Sequence, residues 1–197
     1  LRLYGEYVYA VPPLQLLAPD EATSFETICQ NEAVNLFSQR AKMVNPQFEL
    51  TRENAETITR LCLHLEALPL AIELAAARCD VFSPQLLLDK LEVGKRFELL
   101  TGGFSNLPPR QQSLANALEW SYQLLSDSEK HLFRKLGIFV GSCSLAALEA
   151  MSDDVASTLE TVISLFNKSL LKQVEAMPGE TLRFTMLETV REYALGK

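Results

Sequence analysis

The stretch Leu65-Glu66-Ala67-Leu68-Pro69-Leu70-Ala71-Ile72-Glu73-Leu74-Ala75-Ala76-Ala77-Arg78 decides how the first half of the chain folds. It is apolar and helical in pattern, but one proline interrupts it. Because proline lacks the backbone N–H that a continuing helix needs, the first helix should end near Glu66 and a second should begin with Pro69 in its first turn. The sequence therefore predicts a corner that places an apolar ring beside unpaired helix N-terminal amides.

Two interpretations of this corner stay open when only its residues are considered. A rigid ring next to free amide donors suits a flat purine base or the edge of a phosphate. A proline at the start of a helix is also expected where two helices simply pack against each other. Taken alone, Pro69 favours packing over ligand binding.

The segments on both sides of the corner are helical in pattern. Upstream, one apolar-periodic segment begins at Asn31, and Thr51 is placed to cap the next helix. Downstream, Ser83 and Pro84 provide a cap and a first-turn proline for a further helix. The buried stripe predicted for the helix after Thr51 comprises Ala55, Ile58, Leu61, Cys62 and Leu65. Short connections between four helices predict a compact bundle.

The second half of the chain begins with helical patterns and one short predicted strand. Ser113 and the capping box at residues 126–129 start two helices, residues 138–140 form a short predicted strand, and Ser144 starts another helix. The following helix should bury an apolar stripe made of Val155, Leu159, Val162, Ile163 and Phe166.

After that stripe, apolar residues alternate with polar ones over residues 170–174 and 182–186, with Pro178-Gly179 as a turn between them. Helices followed by a hairpin and one closing helix predict a winged-helix domain. The predicted fold class is therefore mainly α: a four-helix bundle followed by a winged-helix domain with a small β-hairpin.

The chain is expected to hold two domains and a remnant of a third. Residues 7–11 are aromatic and β-branched and end at two prolines, which predicts a strand leaving a sheet located elsewhere. Since the chain opens at Leu1 without a methionine, we expect it to be part of a longer protein. Glycines and prolines between 101 and 109 indicate a boundary. The predicted domains are 1–18, a remnant strand and linker, 19–100, the helical bundle, and 101–197, the winged helix.

Composition excludes several functional classes. The net charge is −7, with 9 basic and 14 acidic residues up to position 100 and 9 and 11 beyond it, so neither half forms the basic surface typical of nucleic-acid binding. The four cysteines lie far apart without metal-ligand spacing, which predicts buried free thiols and no metal site. No apolar run reaches about 20 residues, so we expect no membrane span and a cytoplasmic protein.

Several blocks of the chain resemble the C-terminal half of the NB-ARC, or STAND-type, signalling ATPases, as found in bacterial transcriptional regulators with a repeat array. Residues 3–6 (LYGE) and 11–14 (VPPL) resemble the end of that family's nucleotide-binding core. Residues 67–70 (ALPL) resemble its Gly-Leu-Pro-Leu motif, with Ala67 in the glycine's place. Residues 110–114 (RQQSL), 120–125 (WSYQLL) and 186–194 (MLETVREYA) resemble landmarks of its winged helix.

The resemblance implies a nucleotide site shared with an upstream lobe. In the family, the motif proline packs on adenine, which points to Pro69, and Glu73 one turn later could approach the ribose or base. A histidine that meets the ADP β-phosphate is replaced by Leu187, which has no donor and could equally belong to the hairpin core. Alanine at position 67 does not tolerate positive φ at low cost. Pro69, Glu73 and Leu187 are thus the predicted cofactor-binding residues, and none is predicted to be catalytic.

The function expected from this resemblance is a nucleotide-sensing switch in transcriptional regulation. Walker A and B motifs are absent from the sequence, so this chain should not be an enzyme, and the parent should be a slow ATPase that binds ADP or ATP. The implied partners are the upstream lobe, downstream repeat or effector domains, and further copies on activation. Tight nucleotide binding by this chain alone and direct DNA binding are not expected. The alternatives are a winged-helix DNA-binding module or a passive protein-interaction scaffold.

Overall fold

The computed structural model describes residues 7, 9, 11–16, 24–94, 96–101, 108–151, 155–174 and 182–197, with side chains except at 155 and 156. Its described part is mainly helical with one small antiparallel sheet, as the sequence predicted. The chain divides into two compact units, Leu1–Lys95 and Arg96–Lys197. The predicted domain extents stay a prediction.

The first unit contains the four predicted helices and one that the sequence analysis missed. Its helices are α1 (Phe25–Gln30), α2 (Glu32–Val44), α3 (Arg52–His64), α4 (Pro69–Ala76) and α5 (Pro84–Glu92), and a 3₁₀ turn at Ala77–Asp80 follows α4. The additional helix, α1, is short and starts where the Ser24 side chain accepts a hydrogen bond from the Thr27 amide. Asn31 then ends α1 and caps α2.

The core of the first unit follows the predicted periodicity closely. Every residue of the predicted α3 stripe is buried. Helix α3 packs against α5, and α2 packs against α4. Phe37 of α2 and Ile72 of α4 are completely buried, and Phe37 meets Phe48 edge-on with 6.0 Å between ring centroids.

The segment before α1 is not the predicted strand at its described positions. Tyr7, Tyr9 and Val11 lie in no strand and are more than four-fifths exposed. Within the described residues of this unit there is no sheet for them to join, which is the physical reason for the difference. Gln15 fixes the end of this segment: its amide donates to Glu32 Oε2 at 3.2 Å, and its carbonyl accepts from Asn31 Nδ2 at 2.8 Å.

The second unit contains the helices and strands of a winged helix. Its elements are α6 (Arg96–Leu99), a 3₁₀ turn (Pro109–Gln111), α7 (Leu114–Gln123), α8 (Asp127–Leu136), β1 (Ser142–Ser144), α9 (Leu145–Ala150), α10 (Val155–Asn167), β2 (Lys172–Val174), β3 (Arg183–Thr185) and α11 (Glu188–Leu195). The predicted caps at Ser113, Ser126 and Ser144 each accept an amide hydrogen bond. Pro178-Gly179, Gly102 and Gly103 lie outside the described residues.

The sheet of the second unit has the order β1-β3-β2, with both pairings antiparallel. The predicted strand at residues 138–140 is wrong. Ile138 and Val140 are 65% and 82% exposed, and the chain turns at Gly141 with φ +83° before β1 begins. Strand β1 forms where Cys143 lies opposite Phe184 of β3 and both side chains are buried, so cross-strand burial outweighs local β propensity.

Candidate functional site

The corner between α3 and α4 is built as a Schellman motif. The Glu66 amide donates to the Leu63 carbonyl at 2.9 Å, and the Ala67 amide donates to the Cys62 carbonyl at 3.1 Å. These two bonds satisfy carbonyls at the end of α3 that have no partner within the helix. Glu66 and Ala67 both adopt left-handed backbone conformations, with φ of +54° and +50°.

Ala67 therefore occupies a glycine-like conformation at the glycine's place in the motif. A left-handed conformation costs a residue with a Cβ about 1–2 kcal/mol. The Ala67 side chain is completely buried, so the strain coexists with tight packing. The surrounding fold holds this backbone in place despite the local preference of alanine.

Pro69 is the first residue of α4, as predicted, and its ring is exposed. The preceding N-cap residue, Leu68, has no side-chain acceptor for the first-turn amides. The corner thus presents an exposed apolar ring at the start of a helix, which is the arrangement that the ligand-binding interpretation requires. A role in nucleotide binding stays a prediction.

Glu73 lies one turn after Pro69 and forms an ion pair with Arg40 of α2. Arg40 Nη2 donates to Glu73 Oε1 at 2.9 Å, and both side chains are about one-third exposed. This contact connects α4 to α2 and partly neutralises the carboxylate. The structure gives Glu73 a structural role that the sequence analysis did not assign, while its predicted approach to a ribose or base stays untested.

Leu187 lies in the second unit, whereas Pro69 and Glu73 lie in the first. It is the N-cap residue of α11, and its carbonyl accepts a hydrogen bond from the Arg191 amide at 2.9 Å. Its half-buried side chain packs against the hydrophobic core of the second unit. This position agrees with the alternative in which Leu187 belongs to the core beside the hairpin.

The surface of α10 differs from the predicted stripe. The buried residues are Thr158, Val162 and Leu165, whereas Leu159, Ile163 and Phe166 are 40–43% exposed. Both sets follow helical spacing, and packing of α10 against α8 and α9 selects the less apolar one. The predicted inward position of the exposed set is therefore wrong. Val155 belongs to the same predicted stripe, and its side chain lies outside the description.

Helix α10 is tied to α8 by a nearly buried carboxylate. Glu129 accepts hydrogen bonds from the Ser126 amide at 2.6 Å, from Ser164 Oγ at 2.5 Å and from Lys168 Nζ at 2.6 Å. Burial raises the pKa of Glu129, but these hydrogen bonds outweigh burial and lower the pKa to about 2. Lys168, the cation nearest to the end of α10, is therefore engaged inside the unit.

Two cationic side chains lie on the described strands, and they differ in their contacts. Arg183 of β3 donates from Nε to Ser142 Oγ and from Nη2 to the Ser142 carbonyl, both at 2.9 Å. Lys172 of β2 is exposed. The described surface of α10 and the sheet is thus weakly basic, because two of its three cations bind neighbouring protein groups.

Polar residues of α11 form hydrogen bonds with each other and with neighbouring segments of the second unit. Arg191 donates two hydrogen bonds to Glu188, at 2.6 and 2.8 Å, and a third to the Gly137 carbonyl at 3.1 Å. The bonds from Arg191 lower the pKa of Glu188. Arg96 of α6 is 5% exposed, and its Nη1 donates to Thr189 Oγ1 at 2.8 Å. The Arg191 side chain is 15% exposed and is held by its bonds to Glu188 and Gly137.

Comparison with known proteins identifies the second unit. Residues 125–195 match the winged helix-turn-helix domain family. The matched range begins two residues after the end of α7 and includes the three-stranded sheet and α11, so the winged-helix prediction is confirmed.

Two kinds of relative match the whole chain. One, at 43% identity over 201 residues, is "Putative HTH-type transcriptional regulator Rv0890c" of Mycobacterium tuberculosis, and the chain covers 21% of its length. A counterpart with the same identity and coverage occurs in Mycobacterium bovis. Another relative, "Uncharacterized protein Rv0894" of Mycobacterium tuberculosis, is 34% identical over 202 residues, and the chain covers 47% of its length. The chain thus spans about a fifth to a half of these relatives.

The described residues contain no group of three His, Cys, Asp or Glu side chains that could hold a metal ion. The cysteines at 29, 62, 79 and 143 are free, and the last three are buried. Burial raises the pKa of the Cys62 and Cys79 thiols to about 12. No helix among the described residues has the length and apolar character needed to cross a bilayer.

Proposed function

We propose that this chain is the winged-helix regulatory module of a transcriptional regulator, preceded by a helical unit. The observation that carries the proposal is the match of residues 125–195 to the winged helix-turn-helix domain family. The name of the 43% identical relative, an HTH-type transcriptional regulator, supports the same role.

The finer proposal is that the second unit contacts DNA through α10 and the sheet. In helix-turn-helix domains, the recognition helix enters the major groove and polar side chains reach the base edges. Helix α10 exposes Ser157, Glu160 and Asn167, which offer hydrogen-bonding groups of this kind. Lys172 on β2 supplies a cation for a phosphate contact.

The charge of this surface sets the expected strength of binding. Lys168 is bound to Glu129 and Arg183 to Ser142, which leaves Lys172 for one phosphate contact from this described surface. One contact predicts a fall in affinity of only about three- to fourfold between 50 and 200 mM salt, whereas about six to ten contacts would give about 10³–10⁵. The module should therefore bind DNA weakly, with a shallow salt dependence.

Fluorescence anisotropy with a labelled mixed-sequence duplex tests this proposal. Wild type should bind in low salt, and Lys172→Glu should weaken binding at least about tenfold, because it replaces a phosphate contact with repulsion. The matched control is Lys42→Glu, a charge reversal at an exposed position of α2 in the other unit. Absence of binding in low salt, or equal losses in both variants, would rule out DNA contact by this surface.

A second candidate function is nucleotide sensing, and the exposure of the Pro69 ring favours it. In this proposal, an upstream lobe of the parent protein holds ADP or ATP, and Pro69 covers one face of the base. Calorimetric titration of ADP into the parent protein should give weaker binding for Pro69→Ala and much weaker binding for Pro69→Glu. If both variants bind ADP as tightly as wild type does, Pro69 has no part in the site.

A further inference from the structure

The outward face of α10 carries three side chains that can contact base edges. Glu160, Ile163 and Asn167 are exposed and follow one another at intervals of three and four residues, so they share one face of the helix. Thr158 and Leu165 are buried. A step of two residues turns about 200° around a helix, which places Glu160 and Asn167 opposite this buried pair. The outward row of Glu160, Ile163 and Asn167 therefore points away from the core of the second unit.

The outward row has the length needed to meet a short run of base pairs. Glu160 and Asn167 are seven residues apart in the sequence, which corresponds to about 10.5 Å along the helix axis. Base pairs stack about 3.4 Å apart, so a helix in the major groove spreads the three side chains over about three to four base pairs. This step rests on the proposed contact between α10 and DNA.

The Glu160 carboxylate at the first position of the row favours cytosine. A carboxylate accepts hydrogen bonds and donates none. In the major groove, the donors are the amino groups of cytosine and adenine, and adenine also presents the acceptor N7 beside its amino group. Guanine and thymine present acceptors, which repel a carboxylate. Cytosine is therefore the base that fits Glu160 best.

Ile163 and Asn167 each favour an A·T pair. Ile163 has no hydrogen-bonding group, and the C5 methyl group of thymine is the apolar feature of the major groove. The Asn167 amide has a donor and an acceptor that match N7 and N6 of adenine. Residues 155–167 contain no lysine or arginine, the residue types that make the commonest specific contact with guanine.

The charges near the outward row allow DNA to approach. Among the described charged groups of α10, the two strands after it and the partner carboxylate on α8, three cations face two carboxylates, so the net charge is +1. These groups are Lys168, Lys172, Arg183, Glu129 and Glu160. The row itself neutralises no phosphate, so its contribution to binding is a preference among bases.

We infer that the winged helix prefers a short DNA site of cytosine, thymine and adenine, contacted in that order by Glu160, Ile163 and Asn167. Two of the three positions are A·T pairs, and the third is a C·G pair whose cytosine faces α10. Guanine is disfavoured on the bases that face the row. The preference comes from the base contacts of one helix, whereas Lys172 contributes sequence-independent attraction.

Sequencing of the fraction bound by the 197-residue chain, from a duplex pool with a short randomised centre in low salt, tests the preference. Adenine should be enriched at least about fivefold at one position, the lower end of the effect of a bidentate contact. Cytosine and thymine should be enriched at the neighbouring positions. In the enriched duplex, uracil in place of that thymine removes the methyl group and keeps the base pair. This change should lower the affinity about fourfold, the effect of one buried methyl group.

Three variants at exposed positions should each change one base preference, with circular dichroism as in wild type. Glu160→Gln should shift the first preference from cytosine to adenine, because glutamine pairs with N6 and N7 of adenine. Ile163→Ala should remove most of the uracil effect, and Asn167→Ala should remove the preference for adenine. The control Lys172→Glu should weaken binding to every sequence alike, because a phosphate contact carries no sequence information.

The outcomes separate this inference from the proposed function. Binding of the whole pool without preference would overturn the inference and leave DNA contact by α10 standing. The same holds for base preferences that are unchanged in Glu160→Gln and Asn167→Ala, and for equal affinity of the thymine and uracil duplexes. Absence of binding to any duplex in low salt would overturn the inference together with the proposed DNA contact.

Discussion

Replacing Glu129 by glutamine should destabilise the second unit by about 3 kcal/mol at neutral pH. The pKa of this carboxyl falls from 4.5 to about 2, and each pH unit corresponds to about 1.4 kcal/mol. The side chain is only 8% exposed, so solvent screens these contacts weakly. Glutamine also turns an NH₂ group towards donors on Ser126, Ser164 or Lys168, which leaves one of them without an acceptor.

The loss should depend on pH in a defined direction. Because folding lowers the pKa, the unfolded chain binds more protons than the folded one between about pH 4.5 and 2. The stabilisation by Glu129 is therefore complete above about pH 4.5 and disappears as the pH falls towards 2. The difference between wild type and Glu129→Gln should shrink over this window.

Urea denaturation followed by tryptophan fluorescence measures this effect. The chain has one tryptophan, Trp120, and it lies on α7 in the same unit as Glu129. Glu160→Gln, at an exposed position of α10, is the matched control and should change stability by less than about 0.5 kcal/mol. A loss below about 1 kcal/mol for Glu129→Gln, or a loss independent of pH, would refute the reasoning.

Three further predictions concern the backbone corner, a buried cation and the orientation of α10, each measured by urea denaturation with circular dichroism. Ala67→Gly should keep the free energy of unfolding within about 1 kcal/mol of wild type, because relief of the left-handed strain offsets the loss of the methyl group. Ala67→Val should lower it by at least about 2 kcal/mol. Equal effects of the two substitutions would contradict backbone strain at Ala67. Arg96→Met should lower the free energy of unfolding by about 3 kcal/mol, because it removes the cation from buried polar groups. Arg110→Met, a substitution at an exposed position, is the control and should lower it by less than about 1 kcal/mol. Similar losses in both variants would show that burial of Arg96 is unimportant. Leu165→Ala should cost about 3 kcal/mol and Phe166→Ala about 1 or less, and the reverse order would restore the predicted stripe.

Local sequence signals were sufficient wherever one pattern had no competitor. The α3 stripe and the corner at Pro69 followed from apolar spacing and from the missing amide of proline. The caps at Ser113, Ser126 and Ser144 followed from side-chain chemistry. These features depend on contacts within a few residues, so the sequence contains the necessary information.

The errors arose where tertiary packing chose between two plausible local patterns. Helix α10 has two apolar faces, and only its neighbours α8 and α9 decide that Thr158 points inward and Leu159 outward. Residues 138–140 have strong β propensity, yet pairing with β3 selects residues 142–144. No periodicity could show that Arg40 binds Glu73, because 33 residues separate them. Helix α1 was missed because its six residues are too few to show a helical period.

The buried thiols can report separately on the opening of each unit. Cys62 belongs to the first unit and Cys143 to the second, and burial raises the pKa of both. Alkylating reagents attack the thiolate, so each side chain becomes reactive only when its own surroundings open. Peptide mass spectrometry of wild-type chains alkylated for increasing times therefore measures the opening of each unit separately in a single experiment.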